Sequence, residues 1–243
     1  MTTTELPPTG RPFAWRGLAV IDAILRDRQR FFDEIRQGLG VAAKTRAMLV
    51  ASVVCLALYG AVMGSGYSPL QALSSALKLP ILFLATLVIC APTLYFFNVL
   101  FGSSQGLGQS VALLLTAITV TGVVLLSLAP ILLFFLLSTS QYQFFKLLNV
   151  ACFVAAGSMG ALFLGQGMRL VSGGGQQGAA ARGWVVRLWI VVYAFVGSQM
   201  AWTLRPFIGA PSIPFELFRQ LGGNFYGNLF ASLGELLGFF IVK

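Results

Sequence analysis

The side chains able to do chemistry are few in this chain and poorly placed for it. It carries seven Asp and Glu, three Cys and no His. Without His, the usual general base, the usual haem and zinc ligand and the usual switch near neutral pH are missing. Cys55, Cys90 and Cys152 sit inside apolar runs without metal-ligand spacing. They read as small hydrophobes, with no disulfide framework. Glu5, Asp22, Asp27, Asp33 and Glu34 precede the apolar part of the chain, and Glu216 and Glu235 follow it. An ionisable group deep in a membrane is a functional candidate by default, and the apolar runs offer essentially none. That weighs against proton-coupled transport and against Mg²⁺ held by aspartates at the membrane face. No catalytic residue, metal ligand or cofactor is expected.

Uncharged polar residues remain within the apolar runs: Asn98, Thr116, Thr119, Thr121, Ser127, Asn149, Ser198 and Gln199. One reading makes them hydrogen bonds between helices, worth about 0.6 kcal/mol each. The other has Asn98, Asn149 and Gln199 lining a polar cavity for a solute. The three threonines do not share one helical face, so they form no clean pore stripe. Arg205 stands directly before Pro206, just after the last long apolar run. It can snorkel to an interface, pair with Glu216 or Glu235, or hold a lipid phosphate.

The elements that position these residues are membrane spans. The chain has 243 residues, 57% hydrophobic and 9% charged, with a mean hydropathy of +0.85. Soluble domains carry about 25% charged residues. The pair around which the rest is arranged runs from Lys78 to Thr139. Leu79–Phe101 is uncharged and about as long as a ~30 Å hydrocarbon core requires. A polar turn, Gly102–Gln109, leads to a second uncharged run, Ser110–Thr139. Backbone groups in lipid must pair internally, so both runs are helical. Pro80, Pro92 and Pro130 are tolerated there, whereas in a soluble helix each would cost roughly 3 kcal/mol.

Residues 1–12 are polar and Pro-rich and are expected to be disordered. Residues 13–46 read as a cytoplasmic amphipathic juxtamembrane helix. Leu18, Ile21, Leu25, Phe32 and Ile35 recur at helical spacing, and Arg26, Arg28, Arg30, Asp33, Glu34 and Arg36 fill the other faces. Gly38 and Gly40 end it. This helix is expected to lie on the membrane surface, with Arg26, Arg28, Arg30 and the distant Arg205 as candidate lipid or partner contacts. A docking role for a soluble partner is the sharper alternative, and both can hold together. No secretory signal peptide is expected, because the first apolar run begins only after Arg46.

Residues 47–204 read as a five-helix transmembrane domain. Ala47–Gly64 is the first span, Ser65–Leu77 a loop or short interfacial segment, Phe145–Met168 the fourth span and Trp184–Leu204 the fifth. Ala156, Gly157, Gly160 and Ala161 give the fourth span a loose small-residue face. Trp184, Trp189 and Trp202 suggest an aromatic belt. Arg169–Gly183 is a Gly-rich linker with no phosphate-loop pattern. Residues 205–243 form a Pro-containing tail, and Gly227–Lys243 is either an interfacial helix or a sixth span. The interfacial reading is preferred because Glu235 near its centre is costly in lipid. The fold class is therefore all-α: a polytopic transmembrane helical bundle of five spans, with an N-terminal amphipathic helix and a C-terminal interfacial or sixth helix.

Arg11, Arg16, Arg26, Arg28, Arg30, Arg36, Lys44 and Arg46 precede the first span, and Arg169 and Arg182 lie in the linker. Lys78, Lys146, Arg205 and Arg219 fall on the other side. The bias places the N-terminus in the cytoplasm, and the expected location is the inner membrane of a bacterium. The net charge of +9 is concentrated beside the membrane, which points to anionic lipid and not to nucleic acid. A protein partner or a homo-oligomer is expected.

Five spans, a long N-terminal segment and a tight polar turn between spans two and three resemble the Yip1 family. The likeness is carried by Gly102, Gln109, Ser110 and Pro130, within "NVLFGSSQGLGQSVALLLTAITVTGVVLLSLAP". The Asp-Leu-Tyr-Gly-Pro motif and acidic N-terminal region of the eukaryotic members are not present. The resemblance is to bacterial Yip1-like proteins, and it implies a membrane protein without known enzymatic activity. The leading expectation is a non-enzymatic scaffold, assembly or membrane-organising protein. The alternative is a small-solute or lipid transporter or channel subunit.

Overall fold

The computed structural model describes residues 13–100, 105–139, 141–171, 179–209, 216–218, 223 and 225–237. Among these it contains eight helices: α1 (Phe13–Arg26), α2 (Arg28–Arg36), α3 (Val41–Ser65), α4 (Pro69–Leu100), α5 (Leu107–Ser138), α6 (Tyr142–Val171), α7 (Ala179–Thr203) and α8 (Phe225–Leu236). Five of them, α3 to α7, are long and apolar enough to cross a membrane. The expected disorder of residues 1–12, the core of the Gly-rich linker and the last six residues lie outside the described residues.

The hub is α3. It packs against both α4 and α5, while α6 joins α5 and α7 joins α4. The two spans expected to form the central hairpin therefore meet each other only slightly, with α3 between them. The sequence of α3 explains this. Gly60 and Gly64 are four apart, the spacing that lets two membrane helices approach backbone to backbone. A methyl group at Gly60 would collide with the Ser75 carbonyl oxygen of α4, and one at Gly64 would lie 2.8 Å from the Ala72 Cα. Gly160 of the anticipated small-residue face meets α5, where a methyl would stand 2.7 Å from the Ala117 carbonyl oxygen, but Gly157 faces open space.

Residues 65–77, expected to be a loop or short interfacial segment, are mostly the first part of α4. Ser68 caps α4 by accepting the Gln71 N–H (3.1 Å), and Pro69 occupies the first helical position, where its missing N–H costs nothing. Both α4 and α5 are ~48 Å long at 32 residues, longer than one straight crossing needs. They run on through Pro80, Pro92 and Pro130.

The N-terminal segment differs from the single surface helix expected. It breaks at Asp27 into two helices, then turns at residues 37–40 through Gly38 and Gly40, whose φ values of 76° and 63° suit glycine. The spanning helix α3 begins at Val41, six residues before the expected start. Val20, Ile24, Phe31, Phe32 and Ile35 are buried in one core with α3, α5 and α6. Of the expected apolar face, Phe32 and Ile35 are thus covered by the protein itself, Ile21 is half-buried and Leu25 stays half exposed. At the other terminus, α8 has twelve residues, ~18 Å. It lies against α6 and α7, in keeping with a docked interfacial helix over the described length.

Candidate functional site

The N-terminal end of the bundle carries a groove of about 670 Å³ between α1, α2 and the start of α3. Its floor is apolar and mostly small: Ala19, Val20, Ala23, Phe31, Ala43, Ala47 and Val50. Its rim is charged: Asp27, Arg30, Glu34, Lys44 and Arg46. Glu34 is the centre of a three-membered ion network. It accepts from Lys44 Nζ at 2.7 Å and from Arg30 Nε at 3.1 Å. The Lys44 ammonium, more than any other group, holds the Glu34 carboxyl below its ordinary range. Lys44 also donates to the Leu39 carbonyl (3.0 Å) and sits over the Phe31 ring. Asp27 and Arg46, by contrast, make no side-chain ion pair or hydrogen bond among the described residues.

Gln109 locks this end together. Its Oε1 accepts the Gly106 N–H at 2.9 Å, so it caps α5. Its Nε2 donates to the Ile35 carbonyl (3.0 Å), which also accepts the Gly38 N–H, and to the Arg36 carbonyl (2.9 Å) at the end of α2. The expected polar turn at 102–109 thus ends in the first turn of α5, with Gln109 already helical.

The three N-terminal arginines expected to meet lipid or a partner have intramolecular contacts as well. Arg26 pairs with Asp22 (2.9 Å), Arg30 with Glu34, and Arg28 donates weakly to Gln166 of α6 (3.4 Å). Arg205 is at the opposite end of the bundle, after α7. Its guanidinium lies 3.6 Å from the Trp202 ring centroid, a cation–π contact. The structure therefore does not gather Arg26, Arg28, Arg30 and Arg205 into one site.

That opposite end clamps the tail. Gln71, Ser75 and Lys78 lie one turn apart on one face of α4. Gln71 Nε2 donates to the carbonyls of Pro206 (2.9 Å) and Phe207 (3.1 Å), and Ser75 donates to that of Phe207. Lys78, counted in the sequence among the charges on the far side of the membrane, is 4% exposed. It donates to the Pro206 carbonyl (3.3 Å) and to the Leu217 carbonyl, beneath the Phe218 ring. Lys146 of α6 holds Asn228 and Ser232 of α8, and Glu235 accepts from Gln143 (2.8 Å). Nothing in the local sequence marks these residues as clamps, because their partners lie 80 to 140 positions away.

Between the two ends, the polar side chains are used internally. Tyr59 donates to Asn149 Oδ1 (3.2 Å) in the core, and Asn149 Nδ2 donates to the Phe145 carbonyl (2.8 Å). Thr116 and Thr119 bond back along α5 and also reach Met48 of α3. Thr121, Ser127 and Ser198 bond to carbonyls of their own helices. Trp189 is buried and donates to the Cys90 carbonyl (2.9 Å), so it is a helix-packing residue and not part of an aromatic belt. Asn98, whose side chain is outside the described set, lies ~40 Å along α4 from Gln71. Gln199 is half-buried near the tail end of α7. Asn98, Asn149 and Gln199 are therefore not brought together around one cavity.

Set against known proteins, the chain matches no family model, no curated protein and no solved structure.

Proposed function

We propose that this integral membrane protein is a non-enzymatic scaffold that holds a protein partner, and the lipid around it, at the face formed by α1, α2 and the start of α3. The observation that carries this reading is the fate of the polar side chains inside the bundle. Asn149, Tyr59, Thr116 and Thr119 bond to one another or to helix carbonyls, which is what a packed support needs and a solute path does not. The ends support it too: Gln109 fixes one surface and the Gln71–Ser75–Lys78 row fixes the other. The resemblance to bacterial Yip1-like proteins is in keeping with such a role, as is an N-terminus in the cytoplasm beneath an inner membrane rich in anionic lipid.

One observation favours the transporter reading. The α7 helix is the least enclosed of the five and touches α6 only slightly. Vesicles holding the purified protein separate the two. The scaffold reading predicts the solute leakage of protein-free vesicles; saturable flux that is lost in Gln199→Leu would replace it with the transporter.

A further inference from the structure

Among the described residues, the rim of the N-terminal groove leaves two groups of opposite charge without a side-chain partner. Arg30, Glu34 and Lys44 satisfy one another at 3.1 and 2.7 Å. Asp27 and Arg46 do not take part, and both border the same space. Beneath them the floor is apolar, built from alanines such as Ala19, Ala23 and Ala47. The groove lies at the N-terminal end of the apolar helix α3: Arg46 is only five residues past Val41, and the exposed Leu49 follows it. A ligand suited to this place has an acyl chain for the floor, a phosphate for the guanidinium and a primary ammonium for the carboxylate. We infer that the groove is a binding site for one bilayer phospholipid with a phosphoethanolamine headgroup.

The inference rests on the membrane setting of the proposed function and adds a lipid class to it. It also departs from attraction by net charge alone. A purely anionic lipid would satisfy Arg46 but would meet the Asp27 carboxylate with the same sign. A choline headgroup carries no N–H to donate to Asp27.

The test uses the full chain in detergent micelles supplied with equal amounts of phosphatidylethanolamine, phosphatidylglycerol and phosphatidylcholine of matched chains. Lipid retained per protein is read by native mass spectrometry. The wild type is expected to keep one phosphatidylethanolamine in preference to the other two. Arg46→Gln should lower its retention about fivefold. Asp27→Asn should erase the preference over phosphatidylcholine while leaving phosphatidylglycerol unchanged or raised. Ala19→Trp, at an exposed position on the floor, should displace the lipid without touching the core. Equal retention of all three lipids by the wild type, or an unchanged preference in Asp27→Asn, would overturn the inference. Flotation with vesicles is run on every variant. A wild-type chain that fails to float would overturn the membrane reading itself, whereas one that floats yet shows no lipid preference overturns the headgroup assignment alone.

Discussion

Replacing Gln109 with glutamate separates two jobs that one side chain performs. In the wild type, Oε1 caps α5 through Gly106, while Nε2 carries the two bonds to Ile35 and Arg36 that hold down the end of α2. Glutamate keeps the acceptor. Its charge at a helix N-terminus adds about 0.3 to 1 kcal/mol in favour of α5. It loses both donor bonds, at about 0.5 to 1.5 kcal/mol each, and it turns a carboxylate towards two carbonyl oxygens. The net expectation is α2 loosened by about 1 to 3 kcal/mol, with the first turn of α5 as firm as before. Because each 1.4 kcal/mol is about tenfold in an equilibrium, opening of α2 should become about tenfold more frequent. Hydrogen exchange in nanodiscs reads this directly. Amides of residues 28–36 should exchange about tenfold faster in Gln109→Glu, and those of 107–115 should not change. Gln109→Ala loses all three bonds and should loosen both segments. The reasoning fails if α2 keeps its protection in Gln109→Glu, or if α5 loosens first.

Three further outcomes follow from the packing and the charges. Gly60→Ala forces α3 away from the Ser75 carbonyl and should cost about 1 to 3 kcal/mol; an unchanged midpoint in SDS titration would show that the two helices are not in backbone contact. Asn149→Leu strands the buried Tyr59 hydroxyl at about 1 to 3 kcal/mol, and adding Tyr59→Phe should restore most of the loss, so failure of the double variant to recover would remove the pair from the core account. Glu34 titrates below its ordinary value because of Lys44. Its contribution is therefore present above the ordinary carboxylate range and is lost as pH falls through the lowered folded value. The protection of α2 against protease should decline over that acidic window in the wild type, and Glu34→Gln should flatten the decline.

Much of the architecture is legible in the residues. Five long runs with almost no charge must be helices if they are to sit in lipid, and five such helices are present. Two signals were available at the start of α4 and at the end of α3. Ser68-Pro69-Leu70-Gln71 is a capping pattern, and Gly60-xxx-Gly64 is a close-packing pattern. Gly60 and Gly64 fall in an uninterrupted apolar run, which masks their spacing, whereas Ser68–Gln71 falls in a Ser-, Gly- and Pro-containing stretch whose composition also suits a loop. The N-terminal segment shows the deeper obstacle. Ile24, Phe32 and Ile35 plainly form an apolar face, but an apolar face states only that it must be covered. Lipid and protein cover it equally well, and periodicity does not choose between them. What chose was Gln109, 74 residues from Ile35, together with the fit of Phe32 against Gly167. The tail clamp is hidden for the same reason. Lys78 looks like a boundary charge until Pro206 and Leu217 are placed beside it.

The most direct test of the scaffold reading is the composition of the complex in its own membrane. Native membranes are cross-linked, extracted in a mild detergent and purified through the full-length chain, and the mass and subunits of the product are determined. The account predicts one foreign protein at fixed stoichiometry, cross-linked to residues of α1, α2 or the start of α3, and lost when the exposed Arg26 and Arg36 are reversed in charge. A chain recovered alone, or only with copies of itself, that also passes solute when placed in vesicles would contradict it.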